Sequence, residues 1–329
     1  MSDSSSGPSS GSWRPGASVA ALERRAALLA EARAFFAERG VLEVETPVLS
    51  ASAVSDPQIE SLACDVAGFE GRFYLATSPE YAMKRLLAAG SGDIYQICRV
   101  FRDAERGRWH NPEFTMIEWY RGGFDDIALM AEVEDFVARL LAPRRRLSPA
   151  QHLSYAQALE RYAGVDIGAA GEADLSAAAV RHGVACNSEL ARDAKLDLLM
   201  GLIVGPQLGR ESPCFICDYP ASQAALARLK PGQPAVAARF ELYIDGLELA
   251  NGFHELAEPA EQRARFNKDL ATRRARGQAQ PPVDERLLAA LEAGMPDCAG
   301  VALGFDRLVA IDLGCGRLAD AMAFSIDNA

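Results

Sequence analysis

The residues best suited to chemistry lie between Ile94 and Tyr120, in the segment IYQICRVFRDAERGRWHNPEFTMIEWY. The middle of this segment is dense in charges and hydrogen-bond donors, carried by Arg102, Asp103, Glu105, Arg106, Arg108, His110 and Asn111. Arginine guanidinium groups match the geometry of phosphate oxygens, so this density suits an anionic ligand such as a triphosphate. A solvated hairpin loop is the alternative that charge content alone permits.

Two predicted β-strands position this loop. Ile94 to Arg102 is rich in β-branched and aromatic side chains, and Glu113 to Tyr120 alternates with a period of two. This alternation puts an aromatic ring, a carboxylate and a phenol on one face of the second strand, whose members are Phe114, Met116, Glu118 and Tyr120. A strand face with these side chains is not typical of a hydrophobic core.

Glu80 stands at the start of another predicted element. Phe73 to Ala76 is predicted to be a short strand, Ser78-Pro79 breaks it, and Glu80 opens a helix that continues to Ala88. A glutamate in the first turn of a helix usually compensates the helix dipole. Dipole compensation and ligand binding are both compatible with this position.

Two more carboxylates follow a predicted hairpin whose turn is Asp245-Gly246. Glu248 and Glu255 are seven residues apart in ELANGFHE, so a regular strand would point them to opposite faces. Both can hold one Mg²⁺ ion only if the strand ends or bulges near Asn251-Gly252. Solvated glutamates on a strand are the alternative.

Arg307 lies at a position where an arginine is expected to destabilise the predicted helix. Cys298 to Leu303 is predicted to be an apolar strand, Gly304 a turn, and Phe305 to Leu313 a helix. An arginine in the first turn of a helix opposes the helix dipole. A bound ligand would explain its presence there.

Composition and charge limit the class of protein. The chain has 329 residues, of which 49% are apolar and 24% charged, which excludes a fibrous or mostly disordered chain. A formal net charge of −11 argues against a broad nucleic-acid-binding surface, because such surfaces are usually basic. No apolar run is long enough to span a membrane and no signal peptide is evident, so we expect a cytoplasmic protein. Seven cysteines without framework spacing indicate reduced thiols.

The remaining segments favour one large domain. Residues 1–18 are rich in serine, glycine and proline and are predicted to be a disordered tail. Ala20 to Arg39 has the pattern of an amphipathic helix, and Val41 to Thr46 alternates like an edge strand. Residues 144–230, approximately, are predicted to be a mainly helical insertion within a domain that spans 19–329.

The order of residues from Ile94 to Tyr120 resembles motif 2 of class II aminoacyl-tRNA synthetases, most closely the lysyl-tRNA synthetase form. In that pattern a strand ends in Phe-Arg, a loop follows, and His-Asn-Pro-Glu-Phe-Thr-Met opens the returning strand. Here these are Phe101-Arg102 and His110 to Met116. The acidic residue that the pattern has two positions after the arginine is Ala104 here, with Glu105 next to it.

Three other segments extend the resemblance. Arg39-Gly40 to Pro47-Val48-Leu49 matches motif 1, which builds the dimer interface in that family. Thr77-Ser78-Pro79-Glu80 matches the stretch whose glutamate receives the amino group of the amino acid. Gly300 to Arg307 matches motif 3, although lysyl-tRNA synthetases carry glycine where this chain has Ala302.

The resemblance implies a fold class and a set of site residues. The implied fold class is α+β, a mainly antiparallel β-sheet flanked by helices. The residues implied to bind ATP are Arg102, Asp103, Ala104, Glu105, His110, Asn111, Phe114, Glu248, Leu249, Gly304 and Arg307. Those implied to bind the amino acid are Ser78, Glu80, Glu118, Tyr120, Glu255 and Ala302. Arg102 and Arg307 are implied to be catalytic, and Glu248 and Glu255 are implied to hold Mg²⁺.

The length of the segment before motif 1 indicates which members of the family the chain resembles. Lysyl-tRNA synthetases place an anticodon-binding domain there, but only about 19 residues precede the motif 1 helix here, so we expect no such domain. The chain looks most like the truncated bacterial paralogues of lysyl-tRNA synthetase that modify elongation factor P.

This closer resemblance implies a reaction and its partners. A homodimer would activate lysine or (R)-β-lysine as an adenylate, and then transfer it to the ε-amine of a lysine on elongation factor P instead of to tRNA. The extra methyl of Ala302 on the pocket floor favours the β isomer. A catalytically inactive regulatory paralogue and a stand-alone tRNA aminoacylase are the alternatives.

Overall fold

The computed structural model describes residues 13–329. Within that range the strands are, in chain order, β1 (Leu42–Glu43), β2 (Leu49–Ser50), β3 (Ala63–Asp65), β4 (Arg72–Leu75), β5 (Ile94–Phe101), β6 (Glu113–Gly122), β7 (Gln151–Ser154), β8 (Cys214–Pro220), β9 (Leu229–Lys230), β10 (Val236–Ile244), β11 (Leu247–His254) and β12 (Cys298–Gly304). The α-helices of the same range are α1 (Val19–Glu38), α2 (Glu80–Ala88), α3 (Asp126–Leu141), α4 (Tyr155–Ala163), α5 (Glu172–Arg181), α6 (Arg192–Leu199), α7 (Pro259–Ala275), α8 (Glu285–Gly294) and α9 (Phe305–Leu313).

Most of the strands form one large sheet with the order β1-β5-β6-β12-β11-β10-β8-β7, and β9 pairs with β10. Neighbouring strands in its centre are antiparallel, whereas β1 with β5 and β7 with β8 are parallel pairs at the two edges. A smaller antiparallel sheet has the order β2-β4-β3. Helices flank the large sheet, so the predicted α+β class is confirmed.

Two hairpins build the centre of the large sheet. β5 and β6 pair with Ile94 opposite Tyr120, and the charged loop connects their far ends. β10 and β11 are joined by Asp245-Gly246, whose φ angles are 55° and 79°. A two-residue turn with positive φ at both positions matches the twist of the flanking strands, which is why Asp-Gly is favoured there.

The two faces of β6 meet different environments. Trp119 is fully buried in the main core beneath α1, α3 and α9, where Phe36 and Phe136 pack against its ring. Glu118 and Tyr120 point to the opposite face, as period-two alternation requires. The aromatic core therefore fixes which side of the sheet carries the polar groups.

The predicted helical insertion is only partly helical. Helices α4, α5 and α6, with a π-helical turn at Met200–Val204, form a second apolar cluster against β8 and β10. Strands β7, β8 and β9 lie in the same stretch of chain and join the large sheet. Strands β7 and β9 have only four and two residues, too few for alternation to show, and β8 begins with three consecutive buried residues instead of an alternating pattern. None of the helices in residues 13–329 is long and apolar enough to cross a membrane.

Two predictions near the N-terminus need correction. Of the predicted disordered segment 1–18, residues 1–12 lie outside the described part of the chain. Gly16 and Ala17, however, donate their amides to carbonyls near the C-terminus at 2.8 and 3.0 Å, and Ala17 is buried. The strand predicted from Val41 to Thr46 is reduced to the two residues of β1 at the sheet edge. Both outcomes depend on long-range pairing that local composition does not reveal.

We predict that Gly252→Ala destabilises the large sheet. An ideal Cβ on Gly252 would lie 2.4 Å from Phe240 Cζ on β10 and 3.0 Å from the Gly300 carbonyl oxygen on β12. Overpacking of this kind costs about 1–3 kcal/mol in the free energy of unfolding, which chemical denaturation would measure. Gly201→Ala is the matched control, because a Cβ there meets nothing within 4 Å. Equal losses in both variants would contradict the packing argument.

Candidate active site

A cavity of about 600 Å³ lies over the central strands, on the face of the large sheet opposite the main core. Strand register sets its floor, because Glu118 pairs with Ala302 and Ala302 pairs with Asn251 across β6, β12 and β11. The same register places Tyr120 beside Gly300. Residues of α2 and α7 contribute to the walls.

Glu118 is the buried carboxylate at the centre of this floor, with 2% of its surface exposed. The hydroxyl of Ser78 donates to its Oε2 at 2.7 Å, and the hydroxyl of Tyr120 donates to its Oε1 at 2.7 Å. Burial, followed by the charge of the neighbouring Glu80 carboxylate, raises the pKa of Glu118 to about 8. The structure thus brings these four residues together as the sequence predicts, and the incompletely neutralised carboxyl group suits a cationic partner.

Gly300 allows the floor to close around a second carboxylate. A Cβ on Gly300 would lie 2.3 Å from Tyr120 Cε1 and 2.6 Å from Glu255 Oε1. No side chain fits at such distances, so only glycine lets the Tyr120 ring and the Glu255 carboxylate approach each other here. Glu255 therefore lies in the same part of the cavity as Tyr120 and Glu118.

Lys84, which the predicted site did not include, lies beside two of its carboxylates. Lys84 Nζ is 2.6 Å from Glu80 Oε1 and 2.6 Å from Glu255 Oε2. Burial raises the pKa of Glu255 to about 7, although the Lys84 ammonium opposes this rise. Burial also acts to lower the pKa of Lys84, but the charges of Glu255 and Glu80 outweigh it and keep that pKa above its ordinary value. Lys84 is therefore charged.

The prediction that Glu248 and Glu255 hold one Mg²⁺ ion is wrong. The irregularity in the pairing of β11 falls at Leu249 and not at Asn251-Gly252, and the strand then continues to His254. Seven residues of strand separate the two glutamate Cα atoms by roughly 20 Å. Glutamate side chains cannot bridge that distance, and Glu255 is already paired with a buried ammonium group.

Glu248 lies instead beside Glu241 on β10, which the prediction omitted. Burial raises the pKa of Glu248 to about 7, and the Glu241 carboxylate is the next cause. Glu241 accepts from Arg239 Nη2 at 2.6 Å and from the Tyr243 hydroxyl at 2.7 Å. Two neighbouring carboxylates repel each other, and a divalent cation would relieve that repulsion.

Few side chains near Glu241 and Glu248 could coordinate a metal ion. Within residues 13–329 no group of three or more His, Cys, Asp or Glu side chains is arranged to hold a metal ion. Mg²⁺ is commonly bound by one or two carboxylates, with substrate phosphates and waters completing its octahedron. Glu241 and Glu248 fit that mode of binding.

Arg102, Glu105 and Phe114 lie together at the start of the charged loop. The Arg102 guanidinium is 5.1 Å from the centre of the Phe114 ring, and its Nη1 is 3.5 Å from Glu105 Oε1. Arg102 also lines the cavity, so its guanidinium can meet a phosphate or carboxylate there. Asp103 instead accepts from the amide of Ala104, whose φ of 61° turns the chain. The predicted role of the Asp103 side chain in ATP binding therefore has no support in this geometry.

The C-terminal segment holds the other end of this loop. The amide of Leu318 donates to the Arg108 carbonyl at 2.9 Å, and the amide of Ile326 donates to Asn111 Oδ1 at 2.9 Å. Asn111 Nδ2 donates to the Glu113 carbonyl at 2.7 Å. Backbone groups thus use both ends of the Asn111 amide, so this side chain shapes the loop, and its contact to ATP stays a prediction.

Arg307 lies where α9 begins, close to the loop. Its Nη1 donates to the Glu248 carbonyl at 2.7 Å, and its Nη2 is 2.9 Å from His110 Nε2. Burial and the Arg307 charge lower the pKa of His110, so the imidazole is neutral and accepts from the guanidinium. A Cβ on Gly304 would be 3.8 Å from both Arg307 Cδ and the Leu249 carbonyl oxygen. The Leu249 side chain is buried in the core, so only its backbone can contact a nucleotide.

Three residues that build the site were not predicted, and two of them left a signal in the sequence. Lys84 follows Glu80 by four positions, so the two side chains are neighbours on one face of a helix. Glu241 precedes Glu248 by the same seven positions that separate Glu248 from Glu255. Arg239 alternates with Glu241 on one face of β10, and only the observed contact shows its role.

Sequence comparison identifies the family to which this fold and this site belong. The family described as tRNA synthetases class II (D, K and N) matches residues 12–328. The chain belongs to this class II tRNA synthetase family. Among its curated relatives, the elongation factor P–(R)-β-lysine ligase of Salmonella arizonae is 50% identical over 323 residues, which cover 96% of this chain and 98% of the relative. Proteins of the same name from Salmonella dublin and Salmonella enteritidis are 49% identical over the same shares of both chains.

We predict that binding of lysine or β-lysine strengthens as the pH rises toward 8. Below its pKa of about 8, Glu118 is protonated and offers no charge to an ammonium group. Affinity should therefore fall roughly tenfold for each pH unit between about pH 8 and pH 7, and more steeply below about pH 7, where Glu255 is protonated as well. Isothermal titration calorimetry between about pH 6 and pH 9 would measure the profile, and a flat profile would contradict the assignment of Glu118.

Glu118→Gln tests the same carboxylate directly. Loss of one charged partner should cost about 1.5–3 kcal/mol of binding free energy. The variant should also lose the pH dependence above pH 7 but keep the part below it, where Glu255 titrates with a pKa of about 7. Glu132→Gln is the control, because Glu132 is also buried but accepts from the Trp119 indole at 3.0 Å on the core face. An equal loss of affinity in both variants would remove Glu118 from the ligand site.

Proposed function

We propose that this chain is an ATP-dependent ligase that activates (R)-β-lysine as an adenylate and transfers the β-lysyl group to the ε-amine of a lysine on elongation factor P. One observation carries the proposal: the cavity that contains the carboxylate of Glu118 also reaches the guanidinium of Arg102. A basic amino acid can therefore place its ammonium groups on the floor while its own carboxylate faces the nucleotide. Relatives about 50% identical over nearly the whole chain carry the matching name.

In the proposed first step the carboxylate of the amino acid attacks the α-phosphorus of ATP. The bond from that phosphorus to pyrophosphate breaks, so an aminoacyl-adenylate and pyrophosphate form. Arg102 and Arg307 neutralise the charge on the phosphate oxygens, and the rigid cavity floor holds the attacking carboxylate in line. Neutral His110 keeps the Arg307 guanidinium oriented. The carboxylates of Glu241 and Glu248 would hold Mg²⁺, which would supply positive charge to the phosphates.

In the proposed second step the acceptor amine attacks the carbonyl carbon of the adenylate. The carbon–oxygen bond to the phosphate breaks, AMP leaves, and an amide bond forms. The acceptor loses one proton to become a neutral amine before the attack and a second proton as the amide forms. The protein's contribution is to hold the adenylate carbonyl in a fixed place while the acceptor enters.

The proposal includes a homodimer formed at the β1 edge of the large sheet. Leu42 on β1 is 55% exposed, and Val48 and Leu49 just after it are 37% and 44% exposed. Apolar side chains beside an edge strand favour association with a second copy of the chain. The proposed acceptor is a translation factor, so we place the enzyme in the cytoplasm and propose no tRNA acceptor.

The decisive test is intact-mass analysis of elongation factor P after incubation with this protein, ATP and (R)-β-lysine. The expected result is the mass increase of one β-lysyl group, dependent on ATP and absent when the acceptor lysine is replaced by arginine. ATP binding without any mass increase or pyrophosphate exchange would indicate an inactive regulatory paralogue. Labelling of tRNA in place of the protein would indicate a tRNA aminoacylase.

Ala302 is predicted to select the isomer. It lies on the cavity floor between Glu118 and Asn251, where its methyl crowds a substrate that carries an amino group on the α-carbon. One methyl is worth about 1–3 kcal/mol, or about 10- to 200-fold in discrimination, so α-lysine should be a poor substrate. Ala302→Gly should narrow the gap in pyrophosphate exchange between the two isomers. An unchanged ratio would show that the methyl is not the selector.

A further inference from the structure

Residues 51–62, here called the wall segment, connect β2 to β3 and form neither an α-helix nor a strand. Ala51 to Asp56 and Ile59 nevertheless line the cavity, together with Glu80 and Arg102. Regular secondary structure pairs few of the backbone groups in the wall segment. Its position therefore depends on hydrogen bonds from other parts of the chain.

Arg273, in the last turn of α7, donates three of these hydrogen bonds although only 2% of its surface is exposed. Its Nη1 donates to the carbonyls of Asp56 and Ile59 at 2.9 and 3.1 Å. Its Nη2 donates to Glu60 Oε2 at 2.6 Å, and its Nε donates to the Ala279 carbonyl at 2.6 Å, just beyond α7. One planar guanidinium group thus attaches the wall segment to the end of α7.

Glu60 connects this attachment to the charged loop. Its carbonyl accepts from the amide of Asp103 at 2.8 Å, in an isolated pair between the wall segment and the loop. Its second carboxylate oxygen accepts from Gln278 Nε2 at 2.9 Å, so partners hold both oxygens of the side chain. Asp103 directly follows Arg102, which lines the cavity. The backbone position of Arg102 therefore depends on the wall segment.

We propose that Arg273 is a positioning residue for adenylate formation, which acts through Glu60 on the placement of the Arg102 guanidinium. The inference rests on the proposed function, because it takes Arg102 to neutralise charge on the phosphate oxygens. A guanidinium group stabilises developing charge effectively only when it is already held in the required geometry. Since the wall segment also borders the cavity, loss of its attachment should weaken amino-acid binding as well.

The test is pyrophosphate exchange by the full chain carrying Arg273→Lys. Lysine keeps the positive charge, but its compact ammonium group cannot replace the planar set of donors that reaches two carbonyls and the Glu60 carboxylate. We expect kcat/KM for ATP to fall at least about tenfold, because small displacements of positioned groups have costs of this size. The KM for the amino acid should rise, and hydrogen exchange of the Asp103 amide should become faster.

Arg192→Lys is the matched control. Arg192 Nη1 donates to the Ala170 carbonyl and its Nη2 to the Ile167 carbonyl, both at 2.6 Å, in the helical part of the chain. None of these three residues lines the cavity. The control therefore removes a similar set of guanidinium contacts without touching the wall segment, and its kcat/KM for ATP should equal that of the wild type.

The outcomes separate positioning from a contribution to stability alone. If Arg273→Lys lowers Tm as Arg192→Lys does but leaves kcat/KM for ATP at the wild-type value, Arg273 only stabilises the end of α7 and the proposal is overturned. If Arg273→Lys does not fold, Glu60→Ala decides, because it removes the carboxylate through which Arg273 acts. An unchanged kcat/KM for ATP in that variant then overturns the proposal.

Failure of the proposed function would give a different result. Absence of pyrophosphate exchange in the wild-type protein would refute adenylate formation. The affinity for ATP, measured by calorimetry, would then decide the role of Arg273, since equal affinities in the wild type and Arg273→Lys would overturn the inference as well.

Discussion

The electrostatic cost of burying carboxylates on one face of a β-sheet governs how this site is built. An ionised carboxyl group removed from water needs either a hydrogen-bond donor or a cation. Each buried glutamate here has such a partner: hydroxyl groups for Glu118, an ammonium for Glu255 and a guanidinium for Glu241. The raised pKa values of Glu118 and Glu255 show that these partners compensate burial only in part. The remaining deficit of positive charge is what a basic ligand supplies.

This arrangement depends on the other side of the same strands. Trp119 is locked into the aromatic core, and a one-residue slip of β6 would turn its indole into the cavity and Glu118 into the core. Both consequences are unfavourable, so the register of the central hairpin is strongly specified. The polar site is therefore positioned by hydrophobic packing that it does not contact.

The sequence predicted well those features that depend on local pattern. Alternation along β6 assigned Glu118 and Tyr120 to one face, and Asp245-Gly246 marked the central turn. It failed where the answer depends on a partner distant in the chain. The bulge at Leu249 results from pairing with β10, and nothing in β11 alone places it there instead of at the Asn-Gly pair. Lys84 was missed because its role appears only when α2 is packed against the end of β11.

Family resemblance and physical reasoning contributed different parts of the site. The resemblance grouped the nucleotide-side residues, which share no periodicity and lie on three separate segments. The geometry then sorted them, because Arg102 lines the cavity while Asp103 and Asn111 are bound to backbone groups. Arg307 is bound to the Glu248 carbonyl and to His110. Motif membership alone does not distinguish a group that contacts a ligand from one that shapes a loop.

The two ends of the described chain are hydrogen-bonded to each other, and the C-terminal end is also hydrogen-bonded to the charged loop. The amides of Gly16 and Ala17 donate to the carbonyls of Ala323 and Met322. The C-terminal segment in turn donates hydrogen bonds to the charged loop at the Arg108 carbonyl and Asn111 Oδ1. The floor that carries the carboxylates is made of central strands and takes no part in these hydrogen bonds. Proteolytic trimming or a bulky fusion at the C-terminus would therefore increase the conformational entropy of the loop, and nucleotide affinity would decline while the amino-acid pocket stayed intact. We therefore expect changes at the C-terminus to alter nucleotide affinity more than amino-acid affinity.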